Sequence, residues 1–513
     1  MLRLAAWLIL IPLSAAPPVL RGPLVVSDRW PEPTDLVTWT KDVMRLEHLE
    51  NAGETAQAKA FFLWLRLFSR MATGGMIQAY EGEFGHERYV TDAHKNLFVY
   101  GWGYCDTTSR IAEAAWVQFK NDPSAAERVC VQHVSGGYHT MFRLRLDGRY
   151  GAFDPRYGYY VTDQEGRVVD WAEVPAGLRR SRPFFERPDL EWERALALKA
   201  TYFENEESWV RVGSPAEGVF GNRMYVPGTR YHHMDFDLPR GATIERFWDN
   251  SARAFYVPAG AHALKEEPFL PAGRFYRVTE TMLDGNWPKH DSNYAKAKAY
   301  LTIVPLREGY GKSYEGGRTI GQAWGRITWT PSADQWREGV LDFYSPYVLV
   351  DGTLTGQLAP GARLEMRTLQ AKAAGDAEPD VWSAWDVLAQ SPAPFRVPMG
   401  KTRFDGKRAS VHGVYRVQFR VASPPKSFRI ELTFENGIMS LPQILEGTNT
   451  IRFKLRNTSN ISGPIEVRYR YDTRAGEREH RQVLRASDFK NNVATYSIEA
   501  NGLVRCRSIA ISY

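Results

Sequence analysis

The chain has 513 residues, with 65 Lys and Arg, 59 Asp and Glu, a formal net charge of +6 and 3 Cys. This length exceeds one ordinary hydrophobic core, so about two to four domains are expected. The basic excess is thinly spread along the chain, which argues against a nucleic-acid-binding protein. The few cysteines argue against a fold that rests on disulfides.

The N-terminus has the composition of a secretory signal peptide. Residues 1–16 combine one basic residue, Arg3, with an apolar run and the small residues Ser14-Ala-Ala16. The apolar run is too short to span a bilayer, and no other stretch approaches that length. The sequence therefore predicts a signal peptide at 1–16 and a secreted, periplasmic or cell-surface protein without a membrane span in its mature form.

Residues 34–80 are predicted to be helical. Asp35, together with Thr34, is suited to cap the first helix, because its side chain can accept from backbone N–H groups of the first turn. The stretch 56–70 has a broad apolar face of the kind that packs on a core.

The most informative residue for function is Cys105. It follows the glycine-bearing turn Gly101-Trp-Gly-Tyr104 and opens a helical stretch that runs to Trp116. Cysteine attacks as its thiolate, and a free thiol has a pKa near about 8.5. A helix N-terminus favours negative charge through its unpaired N–H groups and its dipole. This position therefore indicates an activated thiol.

A histidine and an aspartate follow on a predicted hairpin. The turn Asp147-Gly148 separates two strand-like runs, which places His139 and Asp154 on adjacent arms. His139 is then positioned to take the proton of Cys105, and Asp154 to orient the imidazole. The expected chemistry is acyl transfer: attack on a carbonyl, protonation of the leaving amine, and resolution of a thioester.

These residues, in this order, resemble the transglutaminase-like superfamily. The matching elements are a Cys that opens a helix, a His followed by hydrophobic residues (His139-Thr-Met-Phe-Arg-Leu144), and a strand that ends in Phe153-Asp-Pro155. The resemblance covers roughly residues 60–165. It implies a papain-like catalytic domain over residues 25–215, in an exported, bacterial-type member of the superfamily with C-terminal β domains.

The chain departs from the family pattern beside the nucleophile. Many relatives have Gln or Trp next to the Cys, whereas this chain has Tyr104 and Asp106. For the oxyanion hole, the backbone N–H of Cys105 is one candidate donor. The Trp102 indole or the Tyr104 hydroxyl is the candidate second donor, although both side chains also suit core packing.

From about residue 220, short strand-like runs alternate with turns. We expect a β-sandwich-like domain at 216–335 and a C-terminal β-rich domain at 338–513, built as one large sandwich or two small ones. The predicted fold class is therefore α+β, with a papain/transglutaminase-like N-terminal domain followed by antiparallel β-sandwich domains.

Two motifs in the β region have alternative interpretations. His233, Asp235 and Asp237 share one strand face, either as metal ligands or as a solvated face; the second is favoured because no further ligands occur at loop spacing. Trp382 and Trp385 form either a sugar-binding platform or, as we favour, part of a core. No metal site and no cofactor is predicted.

The leading functional hypothesis is an exported Cys–His–Asp enzyme acting on amide bonds of a protein or peptide, including a cell-wall or matrix polymer. Hydrolysis, as a peptidase or amidase, is favoured over transglutaminase-like cross-linking because no acyl-acceptor site is evident. The alternative is a non-catalytic surface or polymer-binding protein with an inactive transglutaminase-like domain and β-sandwich binding modules. A polysaccharide-active enzyme rests on the aromatic content alone. The oligomeric state stays open.

Overall fold

A computed structural model describes sixteen segments of the chain. These segments are 18–68, 92–100, 105–133, 138–155, 159–174, 209–211, 232–248, 254–257, 274–277, 301–303, 322–336, 339–370, 381–400, 409–411, 413–459 and 461–513. The expected signal peptide at 1–16 and the oxyanion candidates Trp102 and Tyr104 lie outside the described residues. Within them the fold is mostly β, its sheets are antiparallel and helices are few.

The helices and strands have the following bounds. The helices are α1 (Leu36–Leu46), α2 (Glu54–Phe68), a π-helix (Lys95–Tyr100) and α3 (Cys105–Lys120), with short 3-10 helices at Trp171–Glu173, Ala333–Gln335, Ile438–Ser440 and Ala486–Asp488. The strands are β1 (Val19–Arg21), β2 (Leu24–Ser27), β3 (Ala126–His133), β4 (Tyr138–Leu146), β5 (Arg149–Asp154), β6 (Tyr159–Val161), β7 (Trp209–Arg211), β8 (Asp237–Pro239), β9 (Ala242–Phe247), β10 (Ala254–Val257), β11 (Arg274–Arg277), β12 (Leu301–Ile303), β13 (Gln322–Trp329), β14 (Val340–Gln357), β15 (Leu364–Gln370), β16 (Asp386–Ala389), β17 (Phe395–Pro398), β18 (Val414–Val421), β19 (Ser427–Gly437), β20 (Thr448–Lys454), β21 (Ile465–Thr473), β22 (Gly476–Leu484), β23 (Val493–Glu499) and β24 (Leu503–Ser512).

The N-terminal helices pack on a small antiparallel sheet. This sheet has six strands in the order β12-β6-β5-β4-β3-β7. The Phe62 ring of α2 lies 5.9 Å from the Phe142 ring of β4 and 5.2 Å from the Phe153 ring of β5. Asp35 caps α1 as the sequence predicted, since its Oδ1 accepts the backbone N–H of Thr38 at 2.7 Å.

A second antiparallel sheet contains eleven strands. Its order is β16-β15-β18-β14-β19-β13-β9-β24-β21-β22, with β17 paired to β14. Strand β13 pairs with β19, and β9 pairs with β24, so hydrogen bonding is continuous across the boundary expected at 335–338. A side chain at Gly325 of β13 would overlap the ring of Phe434 on the neighbouring strand β19, so glycine leaves the space that this ring occupies.

The N-terminal segment joins the helices to the β part of the molecule. Strand β1 pairs with β8, and β2 pairs with β20, which pairs in turn with β23. The indole of Trp30 donates to the carbonyl of Met439 at 3.2 Å, and its ring lies 5.2 Å from that of Trp64 on α2. Buried hydrophobic residues of the helices and of the large sheet consequently form one continuous cluster.

The apolar alternation before β9 agrees with the sequence prediction. Met234, Phe236 and Leu238 are buried, whereas His233 and Asp235 on the opposite face are exposed or half-buried. In the part of the chain that the structure describes, no helix combines the length and the hydropathy needed to cross a membrane.

Candidate active site

Cys105 is the first residue of α3, as the sequence predicted. A π-helix, Lys95–Tyr100, ends five residues before it. Residues 101–104, where the sequence predicted a turn, lie outside the described residues, as do the side chains of Cys105 and His139. The helix start nevertheless places position 105 where unpaired N–H groups and the helix dipole favour a negative charge.

The predicted hairpin is formed by β4 and β5. Its turn residues Asp147 and Gly148 have φ values of +50° and +87°, the left-handed conformation that a tight two-residue hairpin turn requires. The strands pair from Leu146 with Arg149 to Phe142 with Phe153. No bulge interrupts the register between these pairs, so the two-residue turn sets it.

This register brings the positions of His139 and Asp154 close together. Phe142 faces Phe153 at the end of the β4–β5 ladder, and extension of this register by one pair would set Asp154 level with Met141. Alternate strand positions share a face, so 139, 141 and 154 lie on one face of the hairpin. Diagonal neighbours of this kind have Cα atoms about 7–8 Å apart, within reach of long side chains.

The hairpin places Asp154 in a fully buried position. Asp154 is 0% exposed and is followed by Pro155, which is also buried. A carboxylate in such a position is retained only where hydrogen-bond donors or a positive charge offset its loss of hydration. Burial of this kind suits a carboxylate that orients an imidazole, and it does not suit a simple exposed turn residue.

A hydrogen bond connects α3, which begins at Cys105, to β4, which contains His139. The hydroxyl of Ser109 on α3 donates to the carbonyl of Thr140 on β4 at 3.3 Å. Ser109 lies four residues after Cys105, hence on the same side of the helix, and Thr140 follows His139 directly. The second turn of α3 therefore contacts the N-terminal part of β4.

A second polar cluster, which was not predicted from the sequence, precedes Cys105 in the chain. The buried carboxylate of Asp92 accepts the backbone N–H of His94 at 2.8 Å and of Lys95 at 3.1 Å. Its other oxygen accepts the backbone N–H of His232 at 2.7 Å. Asp92 thus caps the segment that leads to Cys105 and fastens it to a distant part of the chain. The signal in the sequence was an Asp ahead of an apolar run.

This cluster also contacts the large sheet. The Nε2 of His232 lies 2.7 Å from the carbonyl oxygen of Pro346, and its ring lies 5.1 Å from that of Tyr415. Burial, reinforced by the charge of Lys95, lowers the pKa of His232 to about 3. The imidazole is therefore neutral at neutral pH and donates from Nε2 to Pro346, while Lys95 Nζ lies 4.8 Å from the Tyr415 ring centre.

Arginines contact both motifs that were considered in the β region: the acidic strand face around Asp235 and the tryptophan pair Trp382 and Trp385. Asp235 and Asp237 form ion pairs with Arg456 at 3.0 and 2.6 Å. Among the described residues, no group of three or more His, Cys, Asp or Glu is arranged to hold a metal ion.

The paired tryptophans are not part of a core, which was the favoured interpretation of the sequence. Trp382 and Trp385 are half-buried, and the guanidinium of Arg367 lies 4.7 and 4.5 Å from their ring centres. Arg420 lies 4.4 Å from the Trp385 ring. The rings are therefore stacked with arginines on the sheet surface.

Comparison with known proteins gives no family. No protein-family model and no curated protein matches the chain. A solved Bacteroides fragilis protein assigned as a beta-galactosidase is 9% identical over 35% of this chain and 27% of that one, with a TM-score of 0.09. A beta-glycosidase from Bacteroides vulgatus is 8% identical over 53% of this chain and 33% of that one, with a TM-score of 0.09. The chain spans a third or less of each protein, and likeness at this level carries no argument about fold or function.

Proposed function

We propose that this protein is a cysteine-dependent acyl-transfer enzyme that acts on amide bonds. Cys105 is the nucleophile, His139 the general base and acid, and Asp154 the group that orients the imidazole. The observation that supports the proposal is the hydrogen bond from Ser109 of α3 to Thr140 of β4, because Cys105 and His139 lie close in sequence to this contact. The N-terminal part is proposed to be papain-like, with a helix that bears the nucleophile on an antiparallel sheet.

The proposed reaction begins with proton transfer from the Cys105 thiol to His139. The thiolate attacks the carbonyl carbon of the amide, and the oxyanion accepts from the backbone N–H of Cys105, with Trp102 or Tyr104 as the proposed second donor. Collapse breaks the C–N bond as His139 returns the proton to the leaving amine. Water, deprotonated by His139, then cleaves the thioester and releases a carboxylic acid.

Asp154 supports this cycle through charge and orientation. Its carboxylate is fully buried, and in this proposal the register that ends at Phe142 and Phe153 continues by one pair, which sets Asp154 diagonally from His139. An imidazolium formed beside a buried carboxylate is stabilised, and the hydrogen bond between them selects the ring orientation. This arrangement favours the thiolate–imidazolium pair over the neutral pair.

The proposed substrate is a protein or peptide outside the cell, including a cell-wall or matrix polymer. Export rests on the signal peptide expected at 1–16, and hydrolysis is favoured over cross-linking because water is the abundant acceptor there. In this proposal the β region holds the substrate or attaches the enzyme to a surface. The division into domains at 25–215, 216–335 and 338–513 stays a prediction.

The second candidate is a non-catalytic binding protein. The observation in its favour is the extent of the eleven-stranded sheet, which is far larger than the six-stranded sheet that carries His139 and Asp154. An inactive domain on such a scaffold would leave Cys105 with the reactivity of an ordinary thiol. The two candidates therefore differ in one measurable property, the pKa of Cys105.

The experiment is the pH dependence of Cys105 alkylation by iodoacetamide, followed by mass spectrometry of the Cys105 peptide. It compares the mature protein with His139→Ala and Asp154→Asn in a Cys130→Ser background. We expect rapid labelling below about pH 7 in the parent protein, slower labelling in Asp154→Asn, and a return to free-thiol behaviour in His139→Ala. Circular dichroism of each variant confirms that it is folded.

Labelling of the parent protein that rises only near about pH 8.5, and that His139→Ala leaves unchanged, would overturn the enzyme proposal in favour of the binding protein. If an activated thiol is found, hydrolysis of a peptide library by the parent protein and by Cys105→Ala identifies the substrate class.

A further inference from the structure

A cleft of about 370 Å³ lies where the N-terminal segment passes from one sheet to another. Residues Val19–Arg21 pair with β8, whereas Leu24–Ser27 pair with β20. The chain passes between these partners at Gly22 and Pro23. The cleft is lined there by 22–24, by 233–235 just before β8 and by 454–456 at the end of β20. Its volume lies in the range of small-ligand sites, about 300–1,000 Å³.

Gly22 keeps this cleft open. Its φ is +61°, a conformation that favours glycine, and a Cβ here would lie 2.7 Å from Asp235 Oδ1 and 3.0 Å from Arg456 Cγ. Any larger residue at position 22 would therefore push against the charged wall. The backbone of Gly22 is held in place by a 2.8 Å hydrogen bond from its N–H to the carbonyl of Phe236.

One wall of the cleft carries two cations with spare hydrogen-bond donors. Lys454 donates to Glu32 at 2.6 Å, which uses one of the three N–H groups of its ammonium. Arg456 uses Nε for Asp235 and Nη2 for Asp237, and within the described part of the chain its Nη1 makes no hydrogen bond. The two cations are two residues apart on an extended segment, about 6–7 Å. They are placed to share one carboxylate.

The opposite charge comes from two acids of the same cleft. The side chain of Glu32 is only 8% exposed, and its Oε1 also accepts from Thr34 at 2.7 Å. Asp235 lies beside Gly22, and burial, with a smaller contribution from the charge of Asp237, raises the pKa of the Asp235 carboxyl. A cation from a ligand would stabilise the ionised form of Asp235.

The cleft also has apolar lining, which includes Leu24. Its acids and bases form two ion pairs, Lys454 with Glu32 and Arg456 with Asp235. The lining thus has no net charge, so a ligand that is itself neutral overall is favoured over a net anion or cation. Positive and negative groups beside an apolar area match a zwitterion with a hydrocarbon side chain.

We propose that this cleft binds a free α-amino acid with an apolar side chain. The ligand carboxylate accepts from the remaining N–H groups of Lys454 and Arg456, its ammonium donates to Asp235, and its side chain packs on Leu24. The site is separate from Cys105 and does not depend on acyl-transfer activity.

The test is isothermal titration of the full mature protein with L-leucine, N-acetyl-L-leucine and L-leucinamide. The second compound lacks the ammonium and the third lacks the carboxylate. We expect L-leucine to bind and each analogue to bind at least about tenfold more weakly, which corresponds to about 1.4 kcal/mol. Cys105→Ser should bind L-leucine as the parent protein does, so failure of the enzyme proposal leaves this result unaffected.

Two variants locate the binding site. Lys454→Met should weaken L-leucine binding at least about tenfold, and Asp235→Asn should abolish the preference for L-leucine over N-acetyl-L-leucine. Lys426→Met, which replaces an exposed lysine beside Gln357 of the large sheet, is the matched control and should leave affinity unchanged. No heat of binding for L-leucine, equal affinity for L-leucine and N-acetyl-L-leucine in the parent protein, or equal losses in Lys454→Met and Lys426→Met would overturn the proposal.

Discussion

The hydroxyl of Ser109 on α3 donates a 3.3 Å hydrogen bond to the backbone carbonyl of Thr140 on β4. Both residues are buried, at 0% and 2% exposure. Cys105 lies one helical turn before the donor and His139 lies one residue before the acceptor. This interior hydrogen bond is therefore one of the contacts that join α3 to β4 close to Cys105 and His139.

Loss of the hydrogen bond between Ser109 and Thr140 should lower the reactivity of the Cys105 thiol while the protein stays folded. Ser109→Ala removes one buried hydrogen bond, so we expect a stability loss of about 1 kcal/mol. Because the helix start is then less firmly held, alkylation of Cys105 near neutral pH should slow several-fold. Urea denaturation and iodoacetamide labelling measure the two effects on the same protein preparation.

The matched control is Ser410→Ala, which also removes a buried hydroxyl. Ser410 donates to the carbonyl of Gly400 at 2.8 Å, in the large sheet region. It should cost a similar amount of stability and leave Cys105 labelling unchanged. Equal slowing in both variants would show that the labelling rate follows general stability rather than the contact between Ser109 and Thr140.

His232 should make the protein less stable as the pH falls. Its folded-state pKa is lowered to about 3, whereas an unfolded histidine titrates near about 6.5. Between these values the unfolded chain binds more protons than the folded one, so the free energy of unfolding decreases as the pH decreases. His232→Gln should therefore show a smaller fall in melting temperature between about pH 6.5 and 4 than the parent protein.

The control for this titration is His48→Asn, a substitution of an exposed histidine whose positive φ of 56° asparagine tolerates. The melting temperature of this variant should fall with pH as steeply as that of the parent protein, because both proteins have the same carboxylates and the same cluster around Asp92. If the melting temperature falls equally with pH in the parent protein and in His232→Gln, protonation of His232 in the cluster around Asp92 does not destabilise the folded protein.

Cys506 should be inert in the folded protein. It is a free thiol with 2% exposure, and its sulfur accepts from Gln443 Nε2 at 3.4 Å. Burial raises the pKa of this thiol to about 12, so thiolate is scarce at neutral pH. Iodoacetamide should modify the Cys506 peptide only in concentrated guanidinium chloride. Native labelling as fast as that of N-acetylcysteine would contradict this account.

Arg367 should stabilise the surface of the large sheet through its two tryptophan contacts. Arg367→Met removes the cation from Trp382 and Trp385 and the 2.8 Å hydrogen bond to Gln418. We expect a loss of about 1–2 kcal/mol and a red shift of tryptophan emission, because the rings become more exposed to water.

Arg363→Met serves as the comparison for Arg367. Arg363 is 53% exposed and pairs with Glu365 at 3.0 Å, and surface pairs of this kind contribute about 0–1 kcal/mol. Its emission spectrum should match that of the parent protein. If the two variants lose equal stability without a spectral shift in either, the stacked arrangement makes no separate contribution.

Local features of the fold were readable in the sequence. Asp35 as a helix cap, Cys105 as a helix start and the turn at Asp147-Gly148 all depend on neighbours within a few residues. The burial of Met234 and Phe236 follows from strand alternation in the same way. Such features were predictable because hydrogen bonds and dihedral preferences within one turn act at short range.

Contacts between distant segments were not readable. The pairing of β2 with β20, the crossing of the 335–338 boundary by the large sheet, and the arginines stacked on Trp382 depend on which strands meet. The same holds for Asp92, whose carboxylate joins His94 to His232. Strand pairing is the sum of many weak contacts over the whole core, and a short run of residues does not encode its partner.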